Sequence, residues 1–311
     1  MSADLPLDSR VRCGVVVAGQ TRDAALAQAR RADAAGFDSL WVGDHIAFHV
    51  PILESLSLLS FLAAATERAT LGTAVYLLPL RHPVLAAKTA ATVDLLSGGR
   101  LVFGVGVGGE FPPEFEASAV PVSERGARLD EAIPLVRRLW SEDAVKHDGR
   151  FHRFGPVTLA PKPVQPGGPP IWIGGRAPAA MRRAGRLGDG YVSTMTSAER
   201  YRSNLEAIAG AAREAGRRIE RFATAAFLFT VIGPREASVA RAAALLGTIY
   251  RRDFREAAPR YALCGEPADV LAQMRVFRDA GVRHFILAPL MDPMELTERV
   301  AAEILPELGR L

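Results

Sequence analysis

Eight short, uniformly apolar runs recur along the 311-residue chain, and each is followed by an alanine- and arginine-rich stretch with helical patterning. The runs cover residues 11–17, 39–42, 70–78, 101–105, 170–173, 191–193, 222–232 and 284–288. The helical stretches cover 22–35, 55–68, 83–96, 124–140, 177–187, 198–215, 237–250, 267–280 and 294–305. A strand with one wet face alternates apolar and polar residues, whereas a strand that is apolar throughout is buried on both faces. Repeated strand–helix units with right-handed crossovers give a parallel sheet covered by helices, either open and doubly wound or closed. Eight units favour closure into a TIM (β/α)8 barrel, a fold that takes about 250 residues or more. The punctuation agrees with this reading: Gly36 and Gly216 stand where helices stop, and Pro83 stands where a first helical turn tolerates proline.

Two segments exceed a minimal barrel. Residues 108–123 form a long loop after the fourth strand. Residues 144–169 are rich in proline and glycine, and hold an Asp148-Gly149 hairpin signal between Val145 and residues 151–154. Loops of this length in compact domains are usually functional. No repeat or linker divides the sequence, so residues 1–311 are expected to form a single domain with inserted loop segments.

Apolar residues make up 49% of the chain and charged residues 23%, as in ordinary globular proteins. The first residues lack the basic and apolar regions of a secretory leader, and no apolar run reaches the ~18–20 residues of a membrane helix. The two cysteines, Cys13 and Cys264, have no paired spacing and read as buried thiols of a reducing compartment. Cytoplasmic location is the expectation. The net charge of +4 could suggest nucleic acid, but the arginine pairs lie scattered over helical stretches with acidic residues nearby. They read as solvated helix faces, so neither nucleic acid nor membrane is expected as a partner. Three lysines (Lys88, Lys146 and Lys162) leave few candidates for Schiff-base chemistry.

Active sites of such barrels lie at the C-terminal ends of the strands. After the second strand comes Gly43-Asp44-His45, a pair able to hold a ligand and move a proton, or else to cap a loop. The third strand leads through Thr73-Ala74-Val75 to Arg81-His82-Pro83, where His82 reads as a cap. The fourth runs into Gly104-Val105-Gly106-Val107-Gly108-Gly109-Glu110, a formal match to a dinucleotide fingerprint with Asp130 at about the right distance. That match fails in context, because Phe111-Pro112-Pro113 follows where a helix should open. A glycine-lined strand end that gives a flat ligand access to backbone fits better. The fifth strand ends in Gly174-Gly175-Arg176 before a helix starting near Pro178, which is the composition of an anion or phosphate cradle. No zinc spacing, Walker motif or nucleophile elbow occurs, and no metal site is expected.

Taken in order, these pieces resemble the bacterial luciferase-like monooxygenases, particularly their branch that uses the deazaflavin coenzyme F420. The resemblance spans roughly residues 11–305. It is strongest from Leu71-Gly72-Thr73 to Gly108, including Leu80-Arg81-His82-Pro83 and Ser97-Gly98-Gly99-Arg100. It implies a cofactor lying across the strand ends. Asp44 and His45 would line the deazaflavin, with His45 exchanging the proton. Ala74-Val75 would form a non-proline cis peptide against the ring, following Thr73. Gly106 and Gly108 would lie near the ring, and Gly174, Gly175 and Arg176 would hold phosphate. Gly109 intervenes before Glu110 where relatives place a substrate-contacting residue, and the cations that hold a sugar phosphate in the glucose-6-phosphate branch have no match. The resemblance therefore implies hydride transfer between F420 and a small organic substrate. The alternatives are an FMN monooxygenase fed by a separate reductase and, further off, a flavin-binding protein without catalysis. Members of the family are often homodimers.

Overall fold

A computed structural model describes residues 5–311. In chain order its strands are β1 (Arg12–Val16), β2 (Ser39–Val42), β3 (Thr70–Thr73), β4 (Leu101–Val105), β5 (Val145–Asp148), β6 (Arg153–Val157), β7 (Ile171–Gly174), β8 (Gly190–Thr194), β9 (Ala223–Ile232), β10 (Ala262–Gly265) and β11 (His284–Pro289). The α-helices are α1 (Arg22–Ala35), α2 (Ser55–Ala63), α3 (Pro83–Leu96), α4 (Pro112–Ala117), α5 (Arg125–Ser141), α6 (Pro178–Leu187), α7 (Ala198–Glu214), α8 (Arg235–Tyr250), α9 (Ala258–Tyr261), α10 (Pro267–Asp279) and α11 (Pro293–Arg299). Eight parallel strands close a ring in the order β1, β2, β3, β4, β7, β8, β9, β11 and back to β1. These are the eight runs read from the sequence. The expected hairpin is present as antiparallel β5 and β6.

The structure adds one strand, β10, and two short helices, α4 and α9, and shortens the third strand. β10 pairs in parallel with the upper part of the ten-residue β9, whose lower part pairs with β8. Only four residues long, β10 lies between two helices and has no pattern of its own. Residues 108–123 contain α4, started by Pro112 and Pro113. The third strand stops at Thr73 rather than running to residue 78: the Ala74–Val75 peptide is cis and the chain leaves the ladder.

Alternate strand residues serve two layers. Leu40, Leu71, Phe103, Ile171, Ile173 and Tyr191 pack outward against the helices. Trp41, Val102, Trp172, Val192 and Ile286 fill the barrel interior. The indoles of Trp41 and Trp172 lie 5.1 Å apart there, and the positions beside them are small. A Cβ at Gly72 would sit 2.3 Å from the Trp41 ring, and one at Gly14 would sit 2.0 Å from Ser39 Oγ. Large side chains on some strands thus require glycine on their neighbours.

This layer also buries a histidine. Trp41 Nε1–H donates to Ser39 Oγ at 2.7 Å, and Ser39 Oγ lies 2.6 Å from His284 Nε2. Burial pushes the His284 imidazole down to about 3, so it is neutral in the folded protein. The unfolded chain binds this proton below about pH 6.5. The contribution of His284 is therefore complete above pH 6.5 and is lost as the pH falls toward 3. Urea denaturation of wild type and His284→Gln at pH 7 and pH 4.5 checks this. Wild type should lose about 2 kcal/mol more than the variant between the two pH values. Equal losses would show that His284 is not held neutral.

Candidate functional site

A cavity of about 790 Å³ opens at the C-terminal ends of the barrel strands. Asp44, His45, Ala74, Val75, Gly106, Gly108, Gly174, Gly175 and Arg176 all line it, so the sequence reading gathers nine residues from four strand ends into one place. Thr73 is the exception. It is fully buried and its hydroxyl donates to Gly104 O at 2.7 Å, which ties β3 to β4 and turns the side chain away from the cavity.

Asp44 touches the cavity, but its oxygens are already occupied. Arg81 grips both of them, at 2.6 and 2.8 Å. Leu77 N–H donates to Oδ2 at 2.8 Å and Ser55 O–H to Oδ1 at 3.0 Å. A carboxylate saturated by two guanidinium bonds, an amide and a hydroxyl is a clamp between the β2 and β3 loops. Its placement does not suit the proton-moving part that the sequence assigns to it, because no lone pair is left for substrate.

His45 differs. Its Nδ1 lies 3.1 Å from both carboxylate oxygens of Glu114, and the Glu114 Oε2 atom also accepts from Ile46 N at 3.1 Å. Glu114 is fully buried, whereas the His45 side chain is 16% exposed. The His45 ring stacks on Phe48 at 3.9 Å with an 11° tilt. A buried carboxylate on Nδ1 and a parallel ring fix the imidazole in one orientation and leave Nε2 as the free proton site. Glu114 rides on α4, and that helix is the reason the sequence reading missed it. A Pro-Pro pair followed by Glu-Phe-Glu is the helix-start signal that could have revealed it.

Two of the glycines also have a steric purpose that the sequence alone does not show. Thr73 Oγ1 and Tyr76 N–H both donate to Gly104 O, and the intervening Ala74–Val75 unit bulges over β4. A Cβ at Gly106 would come within 2.4 Å of Val75 Cγ2, and one at Gly174 within 2.6 Å of Val75 Cγ1. Gly106 and Gly174, which line the cavity, also make room for the Val75 side chain. The isopropyl group of Val75, wedged between two strand ends, forms a raised apolar support in the cavity floor.

At the β7 end of the cavity, Gly174, Gly175 and Arg176 lead into the N-terminus of α6. The buried Tyr191 donates to Gly175 O at 2.8 Å and accepts from Asn204 Nδ2 at 2.9 Å, which anchors the turn to α7. Gly175 has φ +141°, and its missing Cβ would meet Ala180 at 2.8 Å. Two arginines absent from the sequence reading join Arg176 here. Arg183, from the second turn of α6, is 4% exposed and binds Asp130 and the Gly126 carbonyl. Arg125, in the first turn of α5, donates to the Val122 carbonyl. Arg176 itself pairs with Glu110 at 3.0 Å across the mouth. Three guanidinium groups and the N-termini of two helices, α5 and α6, give this end the donor set of a phosphate site. Both arginines sit in ordinary-looking helical stretches, so spacing alone gave no sign of them.

A closed barrel with a cis bulge in its floor, a histidine at its rim and three arginines at one end frames a candidate cofactor cavity. The chain belongs to the luciferase-like monooxygenase family, whose description matches residues 7–309. Similar sequences include a protein named F420-dependent glucose-6-phosphate dehydrogenase from Nakamurella multipartita, 29% identical with 89% of each chain covered. A protein of the same name from Nocardia farcinica is 30% identical, covering 89% of this chain and 91% of that one. Among solved structures, an F420-dependent secondary alcohol dehydrogenase in complex with an F420-acetone adduct superposes with TM-score 0.86 at 22% identity, covering 96% of this chain and 99% of the other. Monooxygenase RslO1 from Streptomyces bottropensis superposes with TM-score 0.80 at 28% identity, covering 95% and 99%.

Proposed function

We propose that this chain is an F420-dependent oxidoreductase that transfers hydride to or from a small organic substrate. The observation that carries this reading is His45, locked by Glu114 at the edge of the cavity floored by Val75. The residues present fit the cofactor. The raised Val75 suits the face of a flat tricyclic ring, and the Arg125, Arg176 and Arg183 end suits its phosphodiester. When bound, the deazaflavin accepts or gives up a hydride at a ring carbon. Every other requirement falls to the protein. His45 Nε2 takes or returns the substrate proton, Glu114 holds the ring that does so, and the Asp44–Arg81 clamp fixes the loop that carries it. Phe48 and Val75 keep the reacting region dry.

Titration of the purified protein with F420 and with FMN, followed by fluorescence, tests the reading. Tight F420 binding and weak FMN binding are expected. The reverse would move the assignment to an FMN monooxygenase served by a separate reductase. Binding of neither would remove the cofactor assignment altogether.

We also infer a homodimer. Within α2 and α3 only Lys88 and Asp94 are charged, and Asp94 is buried, while Phe61, Leu85, Leu95 and Leu96 are exposed. A second copy covers this face, and light scattering should give twice the 33.4 kDa chain mass. No helix among the described residues is long and apolar enough to cross a membrane. With Cys13 and Cys264 buried and unpaired, we place the protein in the cytoplasm.

A further inference from the structure

Charge is divided sharply around the cavity. Its charged lining residues all come from the β2, β4 and β7 ends: Asp44, Glu110, Arg125, Arg176 and Arg183. Asp44, Glu110 and Arg183 are already paired, with Arg81, Arg176 and Asp130. The other half of the circumference, from β8 through β9 and β11 to β1, contributes no charged side chain to the lining.

That half is aromatic. Phe227 and Phe229, two residues apart on β9, point the same way into the barrel mouth and meet edge-on at 5.3 Å. Tyr250, at the end of α8, continues the series, edge-on to Phe229 at 6.3 Å and 5.7 Å from Phe254. Burial raises the Tyr250 phenol far above its usual range, so it stays neutral. Ile249, Ala288 and Pro289 complete an uncharged surface. Across the cavity stands a second aromatic group, with His45 stacked on Phe48 and Phe48 edge-on to Phe111 at 5.9 Å. Arg251, the residue after Tyr250, is exposed and lies outside the lining.

We propose that the substrate is an uncharged, ring-bearing alcohol or its carbonyl counterpart, bound between these two aromatic groups, with Phe229 and Tyr250 as the selecting residues. The inference rests on the F420 reading and narrows it. A sugar phosphate would have to place a dianion against phenyl and phenol faces, and the cavity cation that reaches the Tyr250 phenol, Arg176, is already paired with Glu110. A ring instead gains edge and face contacts on both sides. In the oxidative direction the carbinol C–H bond breaks. Its hydride, with two electrons, goes to the deazaflavin. The hydroxyl proton goes to His45 Nε2, and the C–O bond becomes C=O. Reduction runs the same steps backward. Relatives named for glucose-6-phosphate are 28–30% identical to this chain, and the uncharged wall described here does not suit that substrate.

The test uses ligand-observed NMR on the full-length protein saturated with F420, so that the arginine end of the cavity is filled. The probes are 1-phenylethanol, acetophenone, cyclohexanol and glucose 6-phosphate. At least one of the three ring compounds should bind, and glucose 6-phosphate should not bind at millimolar concentration. Phe229→Ala and, separately, Tyr250→Ala should weaken the ring compound about tenfold while F420 affinity stays within twofold. Turnover of that compound should fall through KM more than through kcat. Tighter binding of glucose 6-phosphate than of every ring compound would overturn the proposal. So would silence from all three ring compounds, or unchanged ring affinity in both variants. F420 titration of the same samples keeps the two readings apart. Loss of F420 binding in wild type sinks the cofactor assignment, whereas F420 binding with sugar-phosphate preference sinks only the substrate class.

Discussion

Asparagine in place of His45 is expected to lower kcat about 10²–10⁴-fold while F420 binds as before, because a positioned acid–base group contributes on that scale. Asparagine keeps most of the volume beside Phe48 and can still donate to Glu114, but it cannot carry a proton between pH 5 and 9. Steady-state turnover and fluorescence titration on the same preparation separate the two effects. A companion Glu114→Gln variant sharpens the result. It preserves the size of the side chain and a hydrogen bond to Nδ1, but removes the charge behind the ring, so a smaller loss of about tenfold is expected. If both variants turn over at the wild-type rate, the proton leaves by another route and His45 is only part of the wall.

Asp44→Ala is expected to act on stability first. It strips the partner from Arg81, which donates twice to Asp44 and also lies 4.4 Å over the Tyr76 ring. Removing one member of a buried ion pair typically costs about 3–5 kcal/mol, since the other charge is left without compensation. Here an amide and a hydroxyl also lose their acceptor. Urea denaturation should register the loss, and a double variant with Arg81→Leu should recover part of it, because the orphaned charge is then gone. Intact stability with lost turnover would return Asp44 to the chemistry and undo its description as a clamp.

These two residues mark the reach of a sequence-only reading. Asp44 and His45 are adjacent and both fall at a strand end, where barrels keep their sites. Position therefore puts both at the cavity but does not tell a saturated carboxylate from an imidazole with one nitrogen unbonded. The difference lies in Arg81 and Glu114, 37 and 69 residues away from their partners. The strands were legible because burial on both faces leaves an unbroken apolar run. β10 was not, because four residues between helices carry no period. The Gly174-Gly175-Arg176 turn is legible as part of the cavity lining because its composition is local. Arg125 and Arg183, which join it, come from helices whose inward faces are known only once the helices are placed. Gly106 and Gly174 carry a further demand that no local pattern shows, the Val75 side chain of another strand.

The long β9 changes partner partway up, from β8 at residues 223–227 to β10 at 229–232, and β10 forms no ladder with β8. At its floor the sheet is a sealed hoop. At its rim it is a split collar, one strand wider, which adds about 4.8 Å of circumference. The split falls beside Thr194 and Phe229, on the uncharged side of the cavity. Changes in β10, which pairs with β9 alone, can resize the mouth without touching the ladders that keep the hoop closed. The strand that widens the rim is thus mechanically separate from those that hold the fold together.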